Sequence, residues 1–441
     1  MRKHIVIFGI VAGAAIGSAL AQNQPVPTGI QPPSPAAAPG AGRGFGGGAP
    51  VHSPEVAPDG RVTFRLRAPN AKEVFVAGFG QRLAMEKNDQ GIWAATTDPL
   101  KPDVYSYSFL VDGATFNDPG NLHFKYSYGG TGQTQFVVPG DAPWSMKAGV
   151  ARGAVTHHFY HSAVAGDDRD FWVYTPAGYD AKQKQSYPTL YLLHGLGDDS
   201  NGWIETGMAN VILDNLIAQG KAKPMVMVNT LGYGNAGGTA TAMNRDMLPN
   251  YARTLLEEVI PQVEKNYNVS KNRLDRAIAG LSMGGAEATL TGLNHLQEFA
   301  WIGSFSGAYV MWPRASAPPA GDTPAAARGD APAAPAALPV GLAPAGAGRG
   351  GRGGPQSIDP ADISKNFPNL DARANPQIKL LWIACGTADS LLGVNRQFRD
   401  FLSSRKVEFT YVEVPDMAHV WPLWRDNLIE LAPMLFQSNG K

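Results

Sequence analysis

The chain has 441 residues, which is enough for two domains and a sizeable hydrophobic core. Its 37 basic and 37 acidic side chains give a formal net charge of zero, which argues against a nucleic-acid or anionic-membrane partner recruited by bulk charge. Cys385 is the only cysteine, so the chain can form no internal disulfide and offers no cysteine cluster for zinc.

Residues 1–21 have the pattern of a secretory signal peptide. Basic residues at Arg2–His4 precede an apolar run at Ile5–Ile16, and Ala19–Ala21 forms an A-x-A cleavage site. The apolar run is short for a membrane-spanning helix, and an uncleaved N-terminal anchor is the alternative. We therefore expect a secreted or periplasmic protein with no membrane attachment after cleavage. Residues 22–50 are rich in Pro, Ala and Gly and predict a disordered linker.

Residues 51–140 predict a small β-sandwich. Polar and apolar side chains alternate at Arg61–Arg67 and Tyr105–Val111, and turn signals separate such runs. The run Arg67–Val76, together with the later Val111–Gly113, resembles the immunoglobulin-like modules that precede many carbohydrate-active enzymes. That resemblance implies contact with a glycan, and a purely structural module is the alternative.

Residues 150–441 predict an α/β domain. Continuous apolar runs, typical of strands covered on both faces, alternate with segments of helical periodicity, which predicts a mostly parallel, doubly wound sheet. The apolar runs include Thr189–Leu193, Met225–Val228, Trp301–Phe305 and Leu380–Ala384. A low-complexity insertion of Ala, Pro, Gly and Arg at residues 314–355 interrupts this pattern. It is interpreted as a tolerated surface insertion, with a functional lid as the alternative.

One stretch of this domain has the spacing of a nucleophile turn. Gly280–Gly284 reads G-x-S-x-G, with the apolar run Ala277–Ala279 before it and the helix-favouring run Ala286–Leu290 after it. Small residues on both sides allow a strained turn that would expose the Ser282 hydroxyl and aim the Met283 amide at an oxyanion. The alternative is a glycine-rich turn with a bystander serine.

A serine hydroxyl needs a base, and the base needs an orienting acid. With this turn the chain order is serine, acid, histidine. Of the two histidines after Ser282, His295 lies at the far end of the following helix, so His419 is the candidate base. Asp389, after the strand at Leu380–Ala384, is the candidate acid, and Asp416 is its rival. Cys385 is interpreted as a core residue.

The second oxyanion donor is expected in the loop after an early strand. His194 and Gly195 let the backbone turn so that the Leu196 amide can face Ser282. His194 itself precedes the serine and begins a tight turn, so we interpret it as a structural histidine.

These motifs together resemble those of one esterase family. The matching segments are Tyr191–Gly197, Trp203, Asp214–Ile217, Ala279–Gly285, Ile383–Gly386, Asp389–Leu391, His419 and Trp421. The family contains feruloyl esterases from xylanase complexes, acetyl xylan esterases, enterochelin esterases, S-formylglutathione hydrolases and mycolyltransferases. The likeness spans about Gly153–Phe436 and is nearest to the feruloyl esterase branch. The resemblance implies an α/β-hydrolase fold, a triad of Ser282, Asp389 and His419, and oxyanion donors at Leu196 and Met283.

The resemblance also implies a substrate class. We expect a secreted serine esterase that acts on ester-decorated plant cell-wall polysaccharide or its oligosaccharides, most simply by releasing ferulate from arabinoxylan. Trp203, Trp421 and Tyr233 are candidate contacts for a feruloyl ring or a sugar, with core packing as the alternative. The alternatives are an acetyl xylan esterase, an enterochelin-type siderophore esterase, and a non-catalytic glycan-binding protein on an esterase scaffold. We expect no cofactor, no metal and no nucleic-acid partner.

Overall fold

A computed structural model of the protein describes residues 51–79, 81–128, 132–237, 246–314 and 357–437. The predicted signal peptide and linker lie outside these ranges, and so does the predicted insertion apart from Arg314. The two sheet-forming regions described below belong to one compact unit. Within the described ranges, no helix has the length and apolar character that crossing a membrane requires.

The N-terminal region consists of two antiparallel sheets. One sheet has the strand order β1-β2-β6-β5, and the other has the order β4-β3-β7-β10-β9, with β8 paired to β7. The strands are β1 Glu55–Val56, β2 Val62–Arg67, β3 Val74–Gly78, β4 Gln81–Ala84, β5 Glu86–Lys87, β6 Ile92–Thr96, β7 Asp103–Val111, β8 Ala114–Phe116, β9 Phe124–Lys125 and β10 Gln133–Val138.

Buried and more exposed side chains alternate along these strands, and the buried ones form the core of the N-terminal region. In β2 every second side chain is buried, and the fully buried Phe64 ring lies 4.8 Å from the Tyr107 ring and 5.4 Å from the Phe136 ring, between ring centroids. Such period-two burial gives each sheet one apolar face. The predicted all-β character is confirmed, whereas the immunoglobulin-like assignment and the domain boundaries stay predictions.

The second region is an eight-stranded mixed sheet in the order β11-β12-β14-β13-β15-β16-β17-β18. Strands β13 to β18 are mutually parallel where they pair, and β11 and β12 run antiparallel at one edge. The strands are β11 Ala154–Ser162, β12 Asp167–Thr175, β13 Thr189–Leu193, β14 Val226–Thr230, β15 Arg276–Leu281, β16 Trp301–Phe305, β17 Leu380–Gly386 and β18 Thr410–Val414.

Helices connect the parallel strands and cover them. Strands β13 to β16 are buried at every position, as expected of strands covered on both faces. The helices are α1 Gly202–Glu205, α2 Ala209–Ala218, α3 Met247–Arg253, α4 Ile260–Asn266, α5 Met283–Asn294, α6 Pro360–Asn366, α7 Leu392–Ser404 and α8 Trp421–Leu431. The predicted doubly wound, mostly parallel sheet is thereby confirmed.

This topology brings the candidate residues to one edge of the sheet. Ser282 follows β15, Asp389 follows β17 and His419 follows β18. The carboxyl ends of parallel strands share one edge of a sheet, which is where ligands bind in such folds.

Candidate active site

The serine sits on a strained turn between β15 and α5. Ser282 has φ 53° and ψ −115°, a conformation that side-chain-bearing residues rarely adopt. Its amide donates to the Phe305 carbonyl at 2.8 Å, and its carbonyl accepts from the Ala308 amide at 2.8 Å. Two backbone hydrogen bonds to the end of β16 and the turn after it therefore hold the strained residue in place.

The neighbouring glycines let three backbones meet at this turn. A Cβ on Gly284 would lie 2.5 Å from the His194 carbonyl oxygen and 2.6 Å from the Leu193 carbonyl oxygen. A Cβ on Gly280 would lie 2.4 Å from the Gly284 carbonyl oxygen. Any side chain at either position would collide with backbone atoms, which explains why the motif requires glycine there.

The three predicted triad residues form one chain of contacts. His419 Nε2 lies 3.0 Å from Ser282 Oγ, and His419 Nδ1 lies 2.8 Å from Asp389 Oδ2. The Asp389 side chain is fully buried, and its Oδ1 accepts from the Leu391 amide at 2.8 Å. Because the Asp389 carboxylate can only accept a hydrogen bond, Nδ1 of the neutral imidazole must carry the proton and donate it. Nε2 is then free to accept the serine proton.

The rivals named from the sequence do not join this chain. Asp416 is exposed, and its amide donates to Thr387 Oγ1 at 2.8 Å. His295 Nδ1 lies 2.8 Å from the Thr291 carbonyl, on the last turn of α5. Cys385 is buried in β17, and burial raises the pKa of its thiol, which disfavours the reactive thiolate.

The two predicted oxyanion donors belong to residues next to the serine turn. The Met283 amide begins α5 directly after Ser282, and Leu196 follows Gly195, where a Cβ would lie 3.3 Å from Ser282 Cβ. Among the residues that the structure describes, neither amide donates to a protein acceptor. Both amides are thus available to an oxyanion, as the sequence predicts, and their role stays a prediction.

His194 uses both ring nitrogens to tie this loop to the next strand end. Its Nδ1 lies 2.8 Å from the Gly195 carbonyl, and its Nε2 accepts from the Gly232 amide at 2.8 Å. Burial lowers the pKa of this histidine, which keeps the ring neutral. These contacts favour the structural interpretation of His194.

Two of the three predicted substrate contacts are fully buried. Trp203 donates from Nε1 to the Leu193 carbonyl at 2.8 Å, and the Tyr233 hydroxyl accepts from the Gly197 amide at 2.7 Å. Neither ring has exposed surface to offer a substrate, so the structure favours the packing alternative for both. Trp421 is only partly buried, and its ring lies 5.2 Å from that of Trp203, so it alone of the three could contact a ligand directly.

The N-terminal region contacts the loop beside this site through residues that the sequence did not mark as candidates. Lys125 forms a buried ion pair with Asp198, and Ser127 Oγ donates to the Gly197 carbonyl at 2.6 Å. These partners are about 70 residues apart along the chain, and no local pattern in the sequence signals their pairing.

Comparisons with known proteins find similarity to esterases. Residues 162–343 match the family model described as putative esterase. An endo-1,4-beta-xylanase/feruloyl esterase of Xylanibacter ruminicola is 33% identical over 265 residues, covering 58% of this chain and 36% of that protein. An uncharacterised protein of Corynebacterium glutamicum is 25% identical over 142 residues, covering 32% of this chain and 33% of that protein. The matches thus span about a third of the length of each of these relatives.

Solved structures share the fold. A ferulic acid esterase from Anaeromyces mucronatus in complex with ferulic acid has a TM-score of 0.50 and 24% identity, covering 68% of this chain and 96% of that chain. An enterochelin esterase from Shigella flexneri has a TM-score of 0.58 and 18% identity, covering 87% of this chain and 95% of that chain. At these identities the likeness establishes the α/β-hydrolase fold. The match of residues 162–343, which include Ser282, to the esterase family model confirms the predicted resemblance for that region.

Proposed function

We propose that this protein is a serine carboxylic-ester hydrolase that releases ferulate from feruloylated plant polysaccharide. The observation that carries the proposal is the contact chain from Ser282 Oγ through the His419 ring to the Asp389 carboxylate. Such a chain activates a hydroxyl that is otherwise a weak nucleophile at neutral pH.

In the first half-reaction, Ser282 Oγ attacks the ester carbonyl carbon while His419 Nε2 takes its proton. The carbonyl oxygen becomes an oxyanion that accepts hydrogen bonds from the Leu196 and Met283 amides. The imidazolium then gives the proton to the departing alcohol oxygen, and the acyl group remains on Ser282. Asp389 fixes the imidazole tautomer and stabilises the imidazolium.

In the second half-reaction, a water molecule takes the place of the alcohol. His419 accepts one of its protons as the oxygen attacks the acyl carbon, and a second oxyanion forms at the same amides. Collapse of that intermediate breaks the bond to Ser282 Oγ, which regains its proton from the imidazolium. The acid leaves, and the enzyme returns to its starting state.

The feruloyl preference rests on two supports. The Xylanibacter ruminicola relative, 33% identical over its matched part, is named for endo-xylanase and feruloyl esterase. Trp421, two residues after the proposed base, retains exposed surface on which an aromatic acyl group or a sugar could stack. The predicted signal peptide would place the enzyme outside the cytoplasm, where such polymers occur.

A substrate panel tests the proposal. The wild type should hydrolyse p-nitrophenyl acetate and methyl ferulate and should release ferulate from feruloylated arabinoxylan. Ser282→Ala should lower kcat by about three to six orders of magnitude, since removal of the nucleophile leaves only binding and oxyanion stabilisation. Ser403→Ala, an exposed serine on α7, is the matched control and should retain wild-type rates.

The panel also separates the alternatives. Faster hydrolysis of acetylated xylan than of feruloylated arabinoxylan would make the protein an acetyl xylan esterase, and preference for enterobactin would make it a siderophore esterase. Equal rates for the wild type and Ser282→Ala would overturn the serine mechanism. Absence of all hydrolysis, with a fluorophosphonate failing to label Ser282, would favour a non-catalytic glycan-binding protein.

A further inference from the structure

The loop 194–198, which carries the proposed oxyanion donor Leu196, is supported from two sides. On the side of the mixed sheet, the Tyr233 hydroxyl accepts from the Gly197 amide at 2.7 Å and donates to the Asp198 carbonyl at 3.2 Å. On the other side lies the segment Phe124–Tyr128 of the N-terminal region.

This segment contacts the loop at the two residues after Leu196. Ser127 Oγ donates to the Gly197 carbonyl at 2.6 Å, and the Lys125 ammonium pairs with the Asp198 carboxylate. The side chains of Lys125 and Asp198 are 8% and 6% exposed, so the pair is shielded from water and from salt. An ion pair in such surroundings fixes position more strongly than one at the surface, because its loss leaves a buried charge unpaired.

The same segment reaches two other parts of the site. The Tyr128 ring stacks on the Tyr233 ring with centroids 4.7 Å apart, and therefore braces the residue that supports the loop from the opposite side. The Lys125 ammonium lies 5.9 Å from the centroid of the Trp421 ring, two residues beyond His419. Lys125 thus lies between the loop of the proposed oxyanion donor and the segment of the proposed base.

We propose that Lys125 and Ser127 are positioning residues for the oxyanion donor of Leu196, an inference that rests on the proposed esterase function. The N-terminal region then does more than extend the chain or bind a glycan. It completes the support of a loop whose backbone must be held within a few tenths of an ångström for its amide to stabilise a transition state.

The expected effect is on kcat. Lys125→Met keeps much of the length of the side chain but removes the charge, and Ser127→Ala removes one hydroxyl. Each should lower kcat for p-nitrophenyl acetate about tenfold to a hundredfold, by analogy with the loss of an oxyanion donor, and should change KM less than threefold. Lys125→Arg, which can still pair with Asp198, should restore kcat to within about threefold of the wild type.

A transition-state analogue sharpens the test. An aryl trifluoromethyl ketone forms a hemiketal oxyanion on the serine, so its inhibition constant should rise by about the same factor by which kcat/KM falls in each variant. Lys87→Met is the matched control, since the Lys87 ammonium donates to the Pro69 and Ala71 carbonyls and lies over the Trp93 ring, all within the N-terminal region. It should leave kcat and the inhibition constant unchanged.

Unchanged kcat in Lys125→Met and Ser127→Ala, a loss confined to KM, or an equal loss in Lys87→Met would overturn the inference while leaving the esterase function intact. If Lys125→Met fails to fold by circular dichroism, Ser127→Ala decides, because it deletes a single hydroxyl. Absence of hydrolysis by the wild type would instead overturn the proposed function, and this inference with it.

Discussion

The serine turn and the loop 194–198 face each other across the same site, yet they are held in different ways. Ser282 is fixed by backbone hydrogen bonds to Phe305 and Ala308, which belong to the next strand and the turn after it. The loop is fixed mainly by side chains, those of Tyr233, Lys125 and Ser127.

This difference has a mechanical consequence. A turn held by backbone atoms depends on close approach and therefore on residues that lack a side chain. A loop held by side chains depends on distant residues that retain their charge or hydroxyl, and it can be weakened from outside the sheet. Mutations at the two places should therefore fail in different ways, and three further measurements test this.

The largest effect is expected at Asp389, the proposed acid of the triad that contains Ser282. Asp389→Asn should lower kcat for p-nitrophenyl acetate by about four orders of magnitude, because an amide in place of the buried carboxylate favours the wrong imidazole tautomer. Asp416→Asn, at the exposed rival, should stay within about twofold of the wild type. A large loss in Asp416→Asn with little loss in Asp389→Asn would reassign the acid.

A moderate effect on both stability and activity is expected at Gly284. The Cβ added by Gly284→Ala would meet the carbonyl oxygens of Leu193 and His194 at 2.6 and 2.5 Å, and backbone atoms cannot rotate away. We expect a loss of about 1–3 kcal/mol in the free energy of unfolding, measured in urea, and at least a tenfold loss of kcat.

Gly292→Ala, on the same helix, is the control for Gly284→Ala. Its nearest contacts, 2.8 and 2.9 Å away, are side-chain atoms of the buried Ile302, whereas those of Gly284 are backbone carbonyl oxygens. The gain in helix propensity of about 1 kcal/mol should offset much of the strain there. Similar losses in both variants would mean that the glycines serve packing in general and not the approach of the turn to the loop.

The smallest effect is expected in the pH dependence of stability, at a buried carboxyl group on α5. Glu287, one turn after Ser282, is fully buried, and neither carboxyl oxygen has a hydrogen-bond partner among the described residues. A Cβ on Gly232, whose amide donates to His194, would lie 3.0 Å from Glu287 Oε2. Burial raises the pKa of Glu287 well above its ordinary value.

The sign of the effect follows from proton binding. Between the unfolded pKa of about 4.3 and the raised folded pKa, the folded state holds one more proton than the unfolded state. The stability contributed by Glu287 is therefore fully present below the unfolded pKa and is lost as the pH rises towards the raised folded pKa. Glu287→Gln should reduce this fall in stability above the unfolded pKa, measured as the free energy of unfolding in urea at a series of pH values.

Glu257→Gln, which removes an exposed carboxylate, is the matched control for Glu287→Gln. Identical slopes for the wild type and Glu287→Gln would show that the buried carboxyl is ionised in the folded protein. The ionised Glu287 carboxylate would then need a partner for its negative charge near the loop 194–198.

The sequence was informative where the structure is local. The strand-turn-helix around Ser282 lies in consecutive residues, and the chain order of serine, acid and histidine then points to His419 as base and to Asp389, with Asp416 as its rival, as acid. The aromatic residues were harder, because a Trp or Tyr near a site has the same pattern whether it is packed, as Trp203 and Tyr233 are, or accessible. Lys125 and Ser127 could not be found, since pairing across two regions leaves no periodic signal.

The single cysteine offers a probe of this architecture. Cys385 lies in β17, completely shielded, four residues before Asp389, and the chain contains no other thiol. A thiol reagent can reach it only when the mixed sheet opens around β17, so its rate of modification reports the free energy of that opening at one known place. Loosening of the N-terminal region alone would leave that rate unchanged, so the rate reports the opening of the mixed sheet separately and needs no engineered cysteine.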